Sequence, residues 1–184
     1  MLRTAFQVAP DGTAFLAQLV WERFPGNVNV PRIALLTRSA AGQWLEEQVP
    51  VEPGTGTGLT LAPGDAGHLG LFLRRAGERL AYVEKLGGAW GAPVDLCQHG
   101  YDDFVAAAQR LPDGRIVAVG SGKLPDASEP AVFCARAEGS WGCQPLSPWP
   151  SGSGISAGFG PDGRAWVVEF PAVLMTEAAV YAEP

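Results

Sequence analysis

The sequence predicts an all-β fold built from about four copies of one four-stranded unit. Three observations carry this. Glycine (24) and proline (16) are abundant among 184 residues without any low-complexity tract, the punctuation expected of many short strands and turns. Two different turn motifs recur, out of phase with one another, at intervals of roughly 50 residues. No segment shows a sustained 3.6-residue apolar period, while apolar runs of strand length are frequent.

The first motif is an apolar strand, a Pro-Asp-Gly-like turn and a second apolar strand. It reads Phe6-Gln7-Val8-Ala9-Pro10-Asp11-Gly12, then Leu59-Thr60-Leu61-Ala62-Pro63-Gly64-Asp65. It returns as Ala108-Gln109-Arg110-Leu111-Pro112-Asp113-Gly114 and as Gly158-Phe159-Gly160-Pro161-Asp162-Gly163. Proline presets φ for such a turn, and Asp-Gly supplies an acceptor and a positive φ. The second motif is x-Gly-x-Trp, at Ala41-Gly42-Gln43-Trp44, Gly87-Gly88-Ala89-Trp90 and Glu138-Gly139-Ser140-Trp141. Each x-Gly pair is expected to form a two-residue hairpin turn.

With those turns fixed, each repeat parses as four strands. In the second repeat they are Leu59–Ala62, His68–Arg74, Arg79–Lys85 and Ala89–Leu96. The short alanine patch at Val105–Gln109 is a first strand. Second strands such as Arg115–Val119 and Ala165–Val168 are nearly all apolar, which predicts burial on both faces. The fourth strand Gln43–Gln48 is more polar, as an outer edge requires. Repeats fall at approximately 1–53, 54–100, 101–152 and 153–184. Their period fits the four-stranded blades of a β-propeller, with residues 1–184 forming a single propeller.

The pattern resembles β-propellers whose blades carry the Asp-box of bacterial neuraminidases, over essentially the whole chain. The Asp-box is written S-x-D-x-G-x-x-W; Ser39-Ala40-Ala41-Gly42-Gln43-Trp44 keeps its glycine and tryptophan, and the other two copies lack the serine–aspartate part. A sialidase-like site would gather several arginines on a substrate carboxylate. Arg23 is the only arginine in the long connections of this chain, which argues against that activity.

The last blade lacks its outer strand. It begins at Ile155-Ser156-Ala157, has strands at Arg164–Glu169 and Glu177–Tyr181, and has no x-Gly-x-Trp. Met1–Val8 is already the first strand of the first blade. Three arrangements remain open: a four-bladed ring with a three-stranded last blade, a ring completed by another copy or partner, and a piece of a longer propeller. The edge at 177–181 is expected to be capped by Leu2–Phe6 or by another chain, because a bare edge is a template for pairing.

Of the three cysteines, Cys134 and Cys143 are expected to form a disulfide. A two-residue turn at Glu138-Gly139 sets them directly opposite in a non-hydrogen-bonded pair, where Cα atoms come within about 4.5 Å. The alternative is two reduced, packed thiols. The same arithmetic sets Trp90 opposite Lys85 and Trp141 opposite Arg136, so the repeated tryptophans are explained by cross-strand stacking on the blade.

Function is expected on the edge that carries the connections between strands two and three and between successive blades. These are the long, variable segments, and variable loops on a regular scaffold are where binding residues sit. They include 20–31, 98–103, 120–130, 148–153 and 171–176. The candidate ligand-binding residues are Trp21, Arg23, Phe24, His99, Tyr101, Asp102, Asp103 and Trp149. Trp21, Phe24, Tyr101 and Trp149 would supply a stacking platform for a sugar or a protein partner. Glu22, Asp102, Asp103 and Glu129 would supply a carboxylate pair for glycoside cleavage, with Tyr101 or His99 assisting. The expected function is a non-enzymatic binding or assembly module for a carbohydrate or protein partner. A glycoside-processing hydrolase or lyase is the alternative.

Other classes find no support. The net charge is −6 with no Lys/Arg run, a poor match to nucleic acid or an anionic membrane. His68 and His99 are remote from any C-x-x-C pair, so neither a metal site nor another cofactor is expected. Gly54-Thr55-Gly56-Thr57-Gly58 lacks the lysine and helix of a phosphate loop and is expected to be a flexible inter-blade linker. No signal peptide or membrane span is visible in the residues given. The expectation is a cytosolic chain, or a mature form or piece whose targeting information lies elsewhere. The disulfide would weigh toward an oxidising, extracellular setting.

Overall fold

Short strands punctuated by glycine and proline do form four antiparallel sheets in a computed structural model of the chain. The structure describes residues 4–26, 28–39, 41–54, 57–64, 67–77, 79–96, 104–121, 131–137, 139–146, 155–160, 164–169 and 179–182. Blade 1 contains β1 (Thr4–Val8), β2 (Ala14–Phe24), β3 (Val28–Arg38) and β4 (Trp44–Val49). Blade 2 contains β5 (Leu59–Pro63), β6 (Leu69–Arg75), β7 (Arg79–Leu86), β8 (Ala89–Trp90) and β9 (Val94–Asp95). Blade 3 contains β10 (Phe104–Arg110), β11 (Ile116–Ser121), β12 (Ala131–Ala137) and β13 (Ser140–Pro145). Blade 4 contains β14 (Ile155–Phe159), β15 (Ala165–Glu169) and β16 (Ala179–Ala182). Strands pair in chain order within each blade, except that β9 pairs with β7. The last blade shows three strands among the described residues, as the sequence predicts.

The chain divides into two units, 1–94 and 95–184. In the first, Phe15, Ala17 and Leu19 of β2, Ile33 and Leu35 of β3 and Val49 of β4 pack against Leu61, Leu69, Leu71, Leu73 and Val83 of blade 2. These positions alternate along each strand, so one face of blade 1 meets one face of blade 2. The first strands β1 and β5 lie side by side. In the second unit Val119, Ala131, Ala165 and Val167 form the shared core of blades 3 and 4, and β10 lies beside β14.

The turns joining first to second strands are three-residue turns. In blades 1 and 3 they are Pro10-Asp11-Gly12 and Pro112-Asp113-Gly114, with the glycines at φ +84° and +85°. The aspartates use their carboxylates as predicted. Asp11 Oδ1 accepts the Thr13 amide at 2.9 Å, and Asp113 Oδ1 accepts the Arg115 amide at 3.0 Å. These bonds, the amide first and the side chain of the same residue next, hold both carboxyls below the usual aspartate range. Their small contribution to stability is complete above the ordinary carboxylate pKa and fades as pH falls through the lowered values.

In several places the chain departs from the sequence expectation. In repeat two the turn is not Pro63-Gly64-Asp65: Pro63 still pairs with Leu69, Gly64 donates its amide to the His68 carbonyl, and the positive-φ residue is Gly67. In blade 1, Ala41-Gly42 is not a two-residue turn. Ser39 pairs with Gln43 across a three-residue turn, which sets Trp44 opposite Arg38. The fourth strand of blade 2, expected at Ala89–Leu96, is broken into β8 and β9, both paired with β7. Pro93 has no amide to donate, and Gly91 instead donates to the Glu84 carbonyl.

The 54–58 segment is docked where it is described. Gly54 donates its amide to the Arg74 carbonyl, and Pro53 bridges Arg75. Thr57, fully buried, points its hydroxyl between the carbonyls of Gly54 (2.5 Å) and Arg74 (2.7 Å). A side chain at Gly54 would put Cβ 2.5 Å from the Arg75 carbonyl oxygen. The glycines here permit close backbone approach, so the flexible-linker expectation fails at residues 54 and 57.

Second strands meet the burial expectation in blade 3, where 116–120 are all buried. Blade 4 differs: Ala165 and Val167 face the core, while Trp166 on the opposite face is 51% exposed. In blade 2 that second face is closed internally. Tyr82 lies over Gly70 and meets Phe72 with ring centroids 5.0 Å apart.

Candidate ligand-binding site

The largest correction falls on residues 20–31. They are not a loop. Strands β2 and β3 run on to Phe24 and from Val28, in unbroken register from Ala14↔Arg38 to Phe24↔Val28. Val-x-Val-x alternation and the aromatics favour strand here, and Pro25-Gly26, with Gly26 at φ +87°, opens the turn. Pairing of β1 with β2 ends at Gln18, and pairing of β4 with β3 ends at Ile33. Beyond those points, among the described residues, the hairpin is a two-stranded ribbon.

Register assigns the two faces of the ribbon. Trp21 opposite Pro31 and Arg23 opposite Asn29 continue the face that begins with Phe15, Ala17 and Leu19. That face packs on blade 2 through Leu19, and Trp21, one step further out, is 61% exposed. The other face carries Phe24 opposite Val28 and Glu22 opposite Val30, with Phe24 47%, Val28 55% and Val30 43% exposed. At the base of that face Arg32 is ion-paired with Glu22 and reaches Glu46 at 3.2 Å through both terminal nitrogens. Partial burial pulls the Arg32 pKa down, but the bonds to Glu46 and Glu22 outweigh it and leave the guanidinium above its ordinary value. The cation is permanent and fastens the ribbon to β4.

Trp21, Arg23 and Phe24 are therefore brought together on one ribbon, with Phe24 on the opposite face from the other two. His99, Tyr101, Asp102, Asp103 and Trp149 lie outside the described residues, as does Glu129. Of the carboxylates considered for catalysis, Glu22 is held by Arg32. The sequence reading missed Asn29, Val28 and Val30 as members of this surface. The alternation of Val28-Asn29-Val30 with polar residues was the signal.

The repeated tryptophans each face a basic residue across their hairpin. Trp44, Trp90 and Trp141 lie opposite Arg38, Lys85 and Arg136. In blade 2 the Lys85 ammonium sits 5.9 Å from the Trp90 ring centroid and also bonds Glu47 of blade 1, so the pair links two blades. Cys134 and Cys143 form the expected disulfide, at a Cα separation of 4.1 Å. No cluster of three or more His, Cys, Asp or Glu able to hold a metal occurs among the described residues. No helix among them is long and apolar enough to cross a membrane.

No protein-family model matches the chain, and no curated protein matches its sequence. Solved structures do match. A protein of unknown function from Dyadobacter fermentans superposes with a TM-score of 0.63 at 15% identity, over 95% of this chain and 50% of that one. The Hadza microbial sialidase Hz136 gives 0.63 at 12%, over 99% and 43%. An α-L-arabinanase from Penicillium chrysogenum, complexed with arabinobiose, gives 0.62 at 16%, over 98% and 61%. The fold is thus of the β-propeller class. The chain spans roughly half the length of these structures.

Proposed function

We propose that the chain is a carbohydrate-binding module whose working surface is the blade end bearing the β2–β3 ribbon. The observation that carries this is the exposed Trp21, flanked on its own face by Arg23 and Asn29. An indole ring offers a flat apolar surface to a sugar face, and the neighbouring guanidinium and amide offer hydrogen bonds to hydroxyls. Three similar folds support the sugar class by their names: a sialidase, an arabinanase with bound arabinobiose and a xylan β-1,4-xylosidase. His99, Tyr101, Asp102, Asp103 and Trp149 remain proposed as further ligand-binding residues. The Asp-box kinship of the blades and a single propeller over 1–184 are part of the same proposal.

The second reading is a glycoside-processing hydrolase or lyase with its carboxylates among Asp102, Asp103 and Glu129; the enzymatic neighbours favour it. A glycan array followed by calorimetry on the strongest hits separates the two. Binding should weaken at least tenfold in Trp21→Ala, the loss expected for a buried aromatic contact at a binding hot spot, with no product released from the bound glycan. Equal affinity of the variant sinks the reading. Turnover abolished by Asp102→Asn or Asp103→Asn replaces it with the enzymatic one.

The β16 edge is proposed to be covered, by the N-terminal residues or by a second chain. β16 pairs only with β15 among the described residues, and Thr4–Val8 is already paired with β2 on one side. Hydrogen–deuterium exchange should be slow at alternate amides across 179–182. Uniformly fast exchange in a monomeric sample would leave the edge bare.

A further inference from the structure

Six of the eleven large apolar side chains that stand exposed among the described residues lie on one sheet face. Register places them there. Val8, Ala14, Arg38 and Trp44 are directly opposed across β1 to β4, and so are Phe6, Leu16, Leu36 and Glu46. Directly opposed residues share a face, and alternate residues along each strand continue it. Out along the ribbon the same face carries Phe24, Val28 and Val30. It is the side of blade 1 opposite to the one whose Phe15, Ala17, Leu19, Ile33 and Leu35 enter the core with blade 2. Phe6 at 57% and Val8 at 51% are as exposed as the apolar residues of the ribbon.

Such a concentration of exposed apolar side chains marks an interaction surface. The face holds three residues of β1, six each of β2 and β3 and three of β4. With strands about 4.8 Å apart and same-face neighbours about 6.8 Å apart, these floor roughly 600 Å² before the relief of the side chains is counted. Two such faces in contact would bury at least roughly 1,200 Å², where the range of stable protein–protein interfaces begins.

Charge identifies the occupant. The chain carries a net charge of −6, so contact between two copies is opposed by their summed charge. This face is an exception. It carries two acids, Glu22 and Glu46, and two arginines, Arg32 and Arg38, and is neutral, so two copies can meet across it without net repulsion. Blade 1 already packs its other face on a sheet of this same chain, so a sheet face is a fitting partner here as well.

We propose that this face of blade 1 docks on the same face of a second copy, forming a two-fold dimer. A contact between identical patches closes on itself and joins two chains only. Trp21, Arg23 and Asn29 stand on the other face of the ribbon, so the dimer neither uses nor rests on the proposed sugar surface.

The test is sedimentation velocity of the full chain over a concentration series, with light scattering for mass. The chain should pass from monomer to dimer and go no further. Phe6→Glu and Val28→Glu should each weaken dimerisation at least tenfold, because an apolar contact is lost and an unpaired charge is buried in its place. Both positions are exposed in the single chain, so its thermal midpoint should move little. Arg38→Glu takes the face from neutral to two excess negative charges and should weaken the dimer at least fivefold. Leu45→Glu is the matched control: Leu45 is 66% exposed, on the opposite face of β4, and its substitution should leave the dimer unchanged, as should Trp21→Ala. The proposal is overturned by a monomer at every concentration up to the order of 100 μM, by growth beyond the dimer, or by equal weakening from Leu45→Glu. A dimer that Phe6→Glu and Val28→Glu leave intact overturns it too, because that dimer runs through another surface.

Discussion

Truncating Tyr82 to alanine should destabilise the fold by roughly 3–5 kcal/mol, the range for removing a large buried aromatic. Tyr82 is 1% exposed and is among the largest side chains in the core. It leans diagonally across β6 to cover Gly70, where a Cβ would lie 2.7 Å from its ring, and it meets Phe72. Ring and glycine are thus complementary halves of one packing unit. Gly70→Ala alone should cost roughly 1–3 kcal/mol through overpacking. In the Tyr82→Ala background the same glycine substitution should cost much less, because the atoms it strikes are gone. Denaturant melts of the four proteins form the cycle. Additive losses would show that the two residues are independent.

Removing the Cys134–Cys143 disulfide should cost roughly 2–3 kcal/mol, as expected for a short closed loop. The bond joins β12 to β13 within one hairpin. Its loss should therefore loosen β13 before the rest of blade 3. Cys134→Ser with Cys143→Ser should lower the denaturation midpoint, and exchange at the β13 amides should rise most. An unchanged midpoint with and without reductant would show that the bridge contributes nothing to stability.

The disulfide was legible because a two-residue turn fixes every pair that follows it. The same arithmetic placed Lys85 and Arg136 opposite their tryptophans. The two-residue turn failed in blade 1, where Ser39 pairs with Gln43 and Trp44 comes to lie opposite Arg38. The ribbon was not legible because Pro31 lies inside it, and an internal proline ordinarily argues against a strand. Pro31 is tolerated because β3 has already parted from β4 there, so only one side of that strand has a ladder to serve. The docking of Thr57 was hidden for another reason. Glycine spacing shows where a backbone is free to approach, not what it approaches, and the Arg74 carbonyl is 17 residues away. Of the candidate site, the sequence located Trp21, Arg23 and Phe24 but took an extended arm for a loop.

The ribbon also sets a rule for how this protein can diversify. Among the described residues its outer part pairs only with itself, so residues can be added or removed near its turn without disturbing the other strand pairs of the blade. The steps are constrained by parity. Residues added in equal number to each strand beyond Trp21 would carry new cross-strand couples outward and leave Trp21 where it stands. One residue inserted in β2 between Leu19 and Trp21 would turn Trp21, Arg23 and everything beyond them to the opposite side of the sheet. Insertions between Leu19 and Trp21 should accordingly come in even numbers if Trp21 is to keep its face, and a library of binders grafted onto this hairpin would need to respect the same count.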